Sequence, residues 1–138
     1  MLASRARAVV NFRLYPGDDI AAVLSHVRRI VDDPTLEIRV IGDRAEASPI
    51  SSTDSRAWAV LGRTIRQIFP EALVAPYLGY GSDAEHFTAL SPNVYRFLPV
   101  VVRPEDLDRV HGTNERIAVE AYLRAVRFYV QFIQNTAG

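Results

Sequence analysis

Asp54-Ser-Arg-Ala-Trp-Ala-Val-Leu-Gly-Arg-Thr-Ile-Arg-Gln-Ile-Phe-Pro70-Glu-Ala-Leu-Val-Ala-Pro-Tyr-Leu78 contains the change of period on which the fold turns. Trp58, Leu61, Ile65 and Ile68 recur at helical spacing, so a helix capped by Thr53 or Asp54 is predicted to run to about Phe69. Pro70 stops it, because proline has no amide proton and its ring clashes with the preceding turn. Ala72 to Leu78 then suits a buried strand. Beyond it, Ser82 to Leu90 reads as a short helix opening at Ser82-Asp83, Val94 to Val100 as a strand, and Ile117 to Gln134 as a long final helix. Helix, strand, helix, strand, helix implies a partly parallel α/β layer.

Upstream, Arg5-Ala-Arg-Ala-Val-Val-Asn-Phe-Arg-Leu14 alternates in part. Ala6, Ala8, Val10, Phe12 and Leu14 share one face, which predicts a strand with one wet side. Pro16-Gly17 is a turn signal. Asp18 is placed to cap a helix whose apolar positions Ile20, Val23, Leu24, Val27, Ile30 and Val31 repeat at helical spacing. That helix ends before Asp33-Pro34, since the residue before proline disfavours helical torsions. Leu36 to Ile41 reads as a second strand, so the first part is α+β. Between the two parts, Ser48 to Ser55 shifts to Ser, Pro, Thr and Asp, which marks a boundary. Two units are expected, residues 1–47 and 48–138.

A chain of 138 residues has the size of one ordinary domain. Sixteen Lys and Arg balance sixteen Asp and Glu, which leaves no positive field to attract nucleic acid or an anionic membrane. The longest apolar run, Leu98 to Val102, is far below the ~20 residues of a membrane helix, and no leader pattern opens the sequence. A cytoplasmic location is the expectation. With no cysteine, a transition metal would need histidine and carboxylate ligands, and there are only three histidines.

His111 sits in the polar stretch His111-Gly-Thr-Asn-Glu-Arg116, which leads into the final helix. A loop imidazole with a carboxylate nearby suits zinc, yet the same spacing also describes a solvated loop histidine or a helix cap. His86 follows the turn Gly79-Tyr-Gly-Ser-Asp83. Backbone amides there would receive an anion, or Ser82 and Asp83 would simply cap the helix while Gly79 and Gly81 permit the turn. Arg13 ends a strand beside a turn, a position from which a guanidinium grips a carboxylate or merely meets solvent. His26 is read as a surface histidine, Tyr122, Phe128, Tyr129 and Phe132 as core packing, and Arg124 and Arg127 as the wet side of the last helix.

Four stretches in order carry a resemblance: Ala6 to Gly17, Gly81-Ser-Asp-Ala-Glu-His-Phe87, Val94-Tyr-Arg-Phe97 and His111 to Arg116. Together they resemble the C-terminal part of the dinuclear zinc peptidases, which include aminoacylase, glutamate carboxypeptidase and succinyl-diaminopimelate desuccinylase. The likeness is nearest the vacuolar carboxypeptidase and N-acyl amino acid hydrolase branch. It implies that residues 1–47 are the second half of a lid or dimerisation domain and 48–138 the returning segment of the catalytic domain. By the same resemblance His111 is a zinc ligand, with Asn114 and Glu115 orienting its loop, and Arg13, Gly81 and Ser82 hold the substrate's carboxylate end. The implied activity is zinc-dependent hydrolysis of amide bonds in N-acyl amino acids or short peptides. The other metal ligands and the general-base glutamate of the family have no counterpart here, so this chain is expected to be inactive alone. The expected partners are a small-molecule or peptide substrate in the full-length parent, and either a second copy or the absent N-terminal half. A non-catalytic dimerisation or assembly module derived from the family is the alternative. Glu85 stands where the family usually carries arginine, a departure in the anion-binding loop.

Overall fold

A computed structural model describes residues 5–42, 45–77 and 82–138. Its packed centre is a pair of helices, α2 (Arg56–Ile68) and α4 (Val119–Ala137). Ser55 starts α2 by accepting the Trp58 amide on its hydroxyl at 3.0 Å, so the cap lies one and two residues beyond the expected Asp54 and Thr53. Ser52 explains the shift, because its hydroxyl draws the Asp54 amide into a local turn at 3.1 Å. The helices run antiparallel, with Arg63 and Thr64 of α2 reaching Asn135 while Glu71, just past α2, pairs with Arg124.

Leu61, Ile65, Phe69 and Phe128 form the core, with Ile68, Ala72, Val74, Tyr95 and Phe132 packed against it. Phe128 is 2% exposed, and its ring meets Phe97, Tyr129, Phe132 and Phe69 at centroid distances of 5.1 to 6.5 Å. Among the described residues the only polar side chain buried with them is Thr64. Its hydroxyl donates to the Val60 carbonyl at 2.8 Å and accepts from Asn135 Nδ2 at 2.8 Å, so nothing is left unsatisfied. Two expectations for the last helix are corrected here. Tyr122 and Tyr129 are about half exposed or more, because they lie off the line that faces α2. Arg124 is not merely a solvated charge: it pairs with Glu71 at 2.9 Å and lies 5.1 Å from the centre of the Phe69 ring.

In the first part, Tyr15-Pro-Gly-Asp18 closes with the Asp18 amide on the Tyr15 carbonyl at 2.9 Å, and Gly17 supplies the positive φ of 101° that this turn needs. Helix α1 (Ile20–Val31) follows, capped by Asp19 rather than Asp18, since that turn uses Asp18 and leaves Asp19 extended to accept the Ala22 amide. Asp32 ends it in the left-handed region, and no residue of α1 is buried.

The expected helix over 82–90 is instead a five-residue 3-10 turn, Asp83–Phe87. Bonds from Glu85 to Ser82, Thr88 to Glu85 and Leu90 to Phe87 tighten it, and Thr88 adds its hydroxyl to the Glu85 carbonyl at 2.7 Å. A short helix, α3 (Pro104–Leu107), precedes the loop into α4. Segments 5–14, 36–41, 72–77 and 94–100, expected as strands, carry no helix and no strand ladder among the described residues, and the Val100 amide turns back onto the Leu98 carbonyl at 2.8 Å. Between Ala72 and Val74, both turned to the core, Leu73 is 97% exposed, the alternation of a strand covered on one face only.

Candidate functional site

The serine-rich border becomes structure by binding its hydroxyls to the segment around Tyr95. Ser51 Oγ donates to the Val94 carbonyl at 3.0 Å and accepts the Val94 amide at 2.8 Å, standing in for a paired strand at that residue. Tyr95 donates its hydroxyl proton to the Ser52 carbonyl at 2.5 Å, so the Ser55 hydroxyl is the donor in its own 2.5 Å contact with Tyr95. The Tyr95 ring also packs on Trp58, centroids 5.6 Å apart. Next in sequence, Arg96 Nη2 donates to Ser48 Oγ at 2.8 Å.

This laced segment forms one side of an open hollow of about 1000 Å³. Trp58, Leu61, Ile65 and Val74 give it an apolar lining, and the first part of the chain contributes Asn11 to Pro16. Arg13 and Ser82 therefore both line the same hollow, although 69 positions separate them in sequence. Arg96, Asp83, Glu85 and Glu46 share it. Glu46 accepts the Ile20 amide at 3.1 Å, which ties the start of α1 to the exit of the first part. Neither Arg13 nor Arg96 forms an ion pair among the described residues, although the carboxylates Glu46, Asp83 and Glu85 share the lining with them. Guanidinium groups bind carboxylates through parallel N–H donors.

Ser82 caps the 3-10 turn with its own oxygen, accepting the Ala84 amide at 3.3 Å. One of the amides expected to receive an anion is thus already taken. Gly81 lies outside the described residues.

His111, Asn114 and Glu115 are not in the hollow. They are exposed on the loop after α3, where His111 (φ 59°) and Asn114 (φ 62°) both adopt left-handed torsions. The turns that produce this geometry are visible. Arg109 bonds Asp106 through its side chain at 2.7 Å and through its amide at 3.1 Å, and the Gly112 amide reaches the Arg109 carbonyl at 2.9 Å. A Cβ at Gly112 would stand 3.1 Å from the Asp108 carbonyl oxygen, so a side chain there would require the turn to give by a few tenths of an ångström. Among the described residues, no three of His, Asp and Glu form a set able to hold a metal ion. His111 would offer a single ligand, fewer than the three protein ligands a hydrolytic zinc site uses.

Arg96, Tyr95 and Glu46 were not singled out from sequence. A composition of Ser, Pro and Thr over 48–55 reads as a linker, and that reading hides hydroxyls that replace strand pairing. The motif Val94-Tyr-Arg-Phe97 was the available signal, with a polar residue on either side of an expected strand.

Residues 6–135 match the Peptidase family M20/M25/M40. The chain is 37% identical over 137 residues to a probable carboxypeptidase S-like 2 of Dictyostelium discoideum, covering 99% of this chain and 26% of that protein. It is 42% identical over 133 residues to an N-fatty-acyl-amino acid synthase/hydrolase of Xenopus tropicalis, and 38% over 134 residues to one of Homo sapiens. Those matches cover 95% and 94% of this chain and 26% of each relative, so the chain spans about a quarter of the length of these relatives. No solved structure matches it.

Proposed function

Because this chain belongs to the peptidase family M20/M25/M40, we propose that it forms part of an amidohydrolase acting on N-acyl amino acids or short peptides, and that it supplies the substrate grip without a complete catalytic centre. The observation that carries this reading is that Arg13 and Ser82 both line one hollow. An N-acyl amino acid presents a free carboxylate next to its amide. Arg13 takes that carboxylate through two N–H donors, Ser82 adds a hydroxyl, and Arg96, steadied by Ser48, adds a second cation. The apolar lining from Trp58 to Val74 leaves room for a hydrocarbon portion of the substrate.

Zinc is the cofactor proposed for the whole protein, with His111 as one ligand and Asn114 and Glu115 holding the loop. The remaining ligands and the general base belong to other parts of the fold. Alone, the 138 residues are expected to hydrolyse nothing. The first unit then serves as the lid side of the hollow, and the second as a returning α/β segment whose extended stretches pair outside this chain. Those unpaired stretches also favour the second reading, a non-catalytic assembly module.

The two readings separate in a fusion in which this chain replaces the matching quarter of the Xenopus relative. Hydrolysis of an N-acyl amino acid, lost with its zinc in His111→Ala and weakened mainly through KM in Arg13→Gln, is the expected result. Full activity in His111→Ala removes the metal-ligand role. A folded, zinc-free and inactive fusion supports the assembly module instead.

A further inference from the structure

The hollow carries both signs of charge. Arg13 and Arg96 line it together with Glu46, Asp83 and Glu85, and no two of these five form an ion pair. The three carboxylates are not equivalent. Glu46 is exposed and already accepts the Ile20 amide at 3.1 Å. Asp83 is exposed at the start of the 3-10 turn. Glu85 is half-buried, and among the described residues its carboxylate pairs with no cation. Its backbone is held on both sides. The Glu85 amide donates to the Ser82 carbonyl at 2.9 Å, and the Glu85 carbonyl accepts the Thr88 amide at 3.1 Å and the Thr88 hydroxyl at 2.7 Å. The carboxylate therefore stands on a fixed stem.

A carboxylate that loses water without gaining a partner costs free energy, and a cation that reaches it offsets that cost. The apolar lining from Trp58 to Val74 strengthens the effect, because charges interact more strongly where the dielectric is low. A hydrocarbon chain laid over Glu85 would do the opposite, stripping water from the carboxylate and returning no hydrogen bond. The hollow thus discriminates between ligands as well as attracting them. Its guanidinium groups suit a carboxylate and Glu85 suits a cation, so the complementary ligand carries both charges.

We propose that Glu85 is a specificity-determining residue, which selects substrates bearing an ammonium group on the acyl side of the scissile amide over those with an uncharged acyl chain. The inference rests on the reading of the hollow as the grip for the substrate's carboxylate, and it narrows the substrate class to short peptides that carry a cation. Two sources share this chemistry, a free amino terminus and a basic side chain. The glutamate that stands where the family usually carries arginine thereby acquires a consequence: it reverses the charge presented at that point of the loop.

Trp58 is the only tryptophan of the chain and lines the hollow, so its fluorescence reports occupancy. The test titrates the 138-residue chain with three ligands that share a C-terminal leucine carboxylate. Alanyl-leucine has a free amino terminus, N-acetylalanyl-leucine has no cation, and N-acetyllysyl-leucine carries its ammonium on a side chain. At least one ammonium ligand is expected to bind roughly fivefold more tightly than N-acetylalanyl-leucine, the scale of a partly exposed charge pair, and the one that does identifies the source. Glu85→Gln is expected to erase that ratio and Glu85→Arg to reverse it. Asp83→Asn should leave it in place, and Arg13→Gln should weaken all three ligands alike. A ratio unchanged in Glu85→Gln overturns the inference, as does the absence of saturable binding by every ligand. In the Xenopus fusion the same ratio is expected in kcat/KM, carried by KM. A fusion that hydrolyses these ligands with a ratio insensitive to Glu85→Gln overturns the inference and leaves the functional reading standing. A fusion inert toward all three, with the Glu85-dependent binding ratio intact, removes the amidohydrolase reading and leaves the charge selection.

Discussion

Helices α1, α2 and α4 each carry an apolar stripe at helical spacing, and α1 and α2 also start at side-chain caps, yet they differ in what the stripe meets. In the α2–α4 pair the stripes meet each other, and Leu61, Ile65, Phe69 and Phe128 are nearly dry. On α1 no residue is buried, no other described helix packs against the stripe, and Ile30 remains 64% exposed. Amphipathic period predicts that a helix forms and which face it offers. Stability comes from the partner face.

The sharpest way to break this comparison is at Phe128. Removing its ring takes out the side chain that four other aromatic rings touch, and a Phe→Ala change in a well-packed core costs ~3–5 kcal/mol. For a core this small that equals the whole stability. Phe128→Ala is expected to abolish any cooperative urea transition followed by circular dichroism, whereas Ile30→Ala on α1 leaves the midpoint where it was. A clear loss of stability from Ile30→Ala would mean that α1 is packed more tightly than its exposure indicates.

Native-state hydrogen exchange gives a residue-level version. Amides of residues 61–69 and 124–135 are expected to exchange with protection close to the global unfolding free energy, and those of α1 with little. Asn135 should set the upper edge of that protected unit. It donates to both Thr64 and Gln67 and accepts from Gln131, and its carbonyl receives Arg63. Asn135→Ala leaves the buried Thr64 oxygen with one partner fewer, a cost of ~1–3 kcal/mol. Arg124→Ala should cost less, up to ~1 kcal/mol, and the loss should shrink with added salt, because its pairing with Glu71 is largely exposed. An Arg124→Ala penalty that salt does not reduce would assign the effect to its stacking on Phe69.

Much of this was legible in the sequence, but unevenly. Each long helix was readable because twelve or more residues carried the period, and the end of α2 was fixed by Pro70. Caps were off by one or two positions, since Asp18 and Asp54 have the same chemistry as Asp19 and Ser55, and only the local turn decides between them. The 3-10 turn at 83–87 was read as a helix because a cap residue was visible and the length was not. Arg13 and Ser82 enter as candidates through motif resemblance alone, and that both line one hollow is a tertiary fact that no spacing encodes. Arg96 and Tyr95 were hidden for the opposite reason: their partners, Ser48, Ser52 and Ser55, looked like linker. The expected sheet has its pattern in 72–77 and 94–100, but strand pairing needs a second strand.

The smallest expected effect lies at the exit from α1. Asp33 accepts the Thr35 hydroxyl at 2.7 Å and the Thr35 amide at 2.8 Å, and these bonds hold its carboxyl below the ordinary aspartate value, the hydroxyl contributing most. A depressed folded-state pKa means that the bonded turn is favoured above the unfolded value and loses that advantage as pH falls through the folded one. The group is fully exposed, so the consequence should be local. Following the Asp33 carboxyl carbon by NMR, Thr35→Ala should move its titration upward, toward the ordinary range, without changing the unfolding midpoint at neutral pH. A global change in stability would show that the end of α1 is coupled to the α2–α4 core, and the contrast between the two regions would then be one of degree. An unmoved titration would transfer the whole shift to the Thr35 amide.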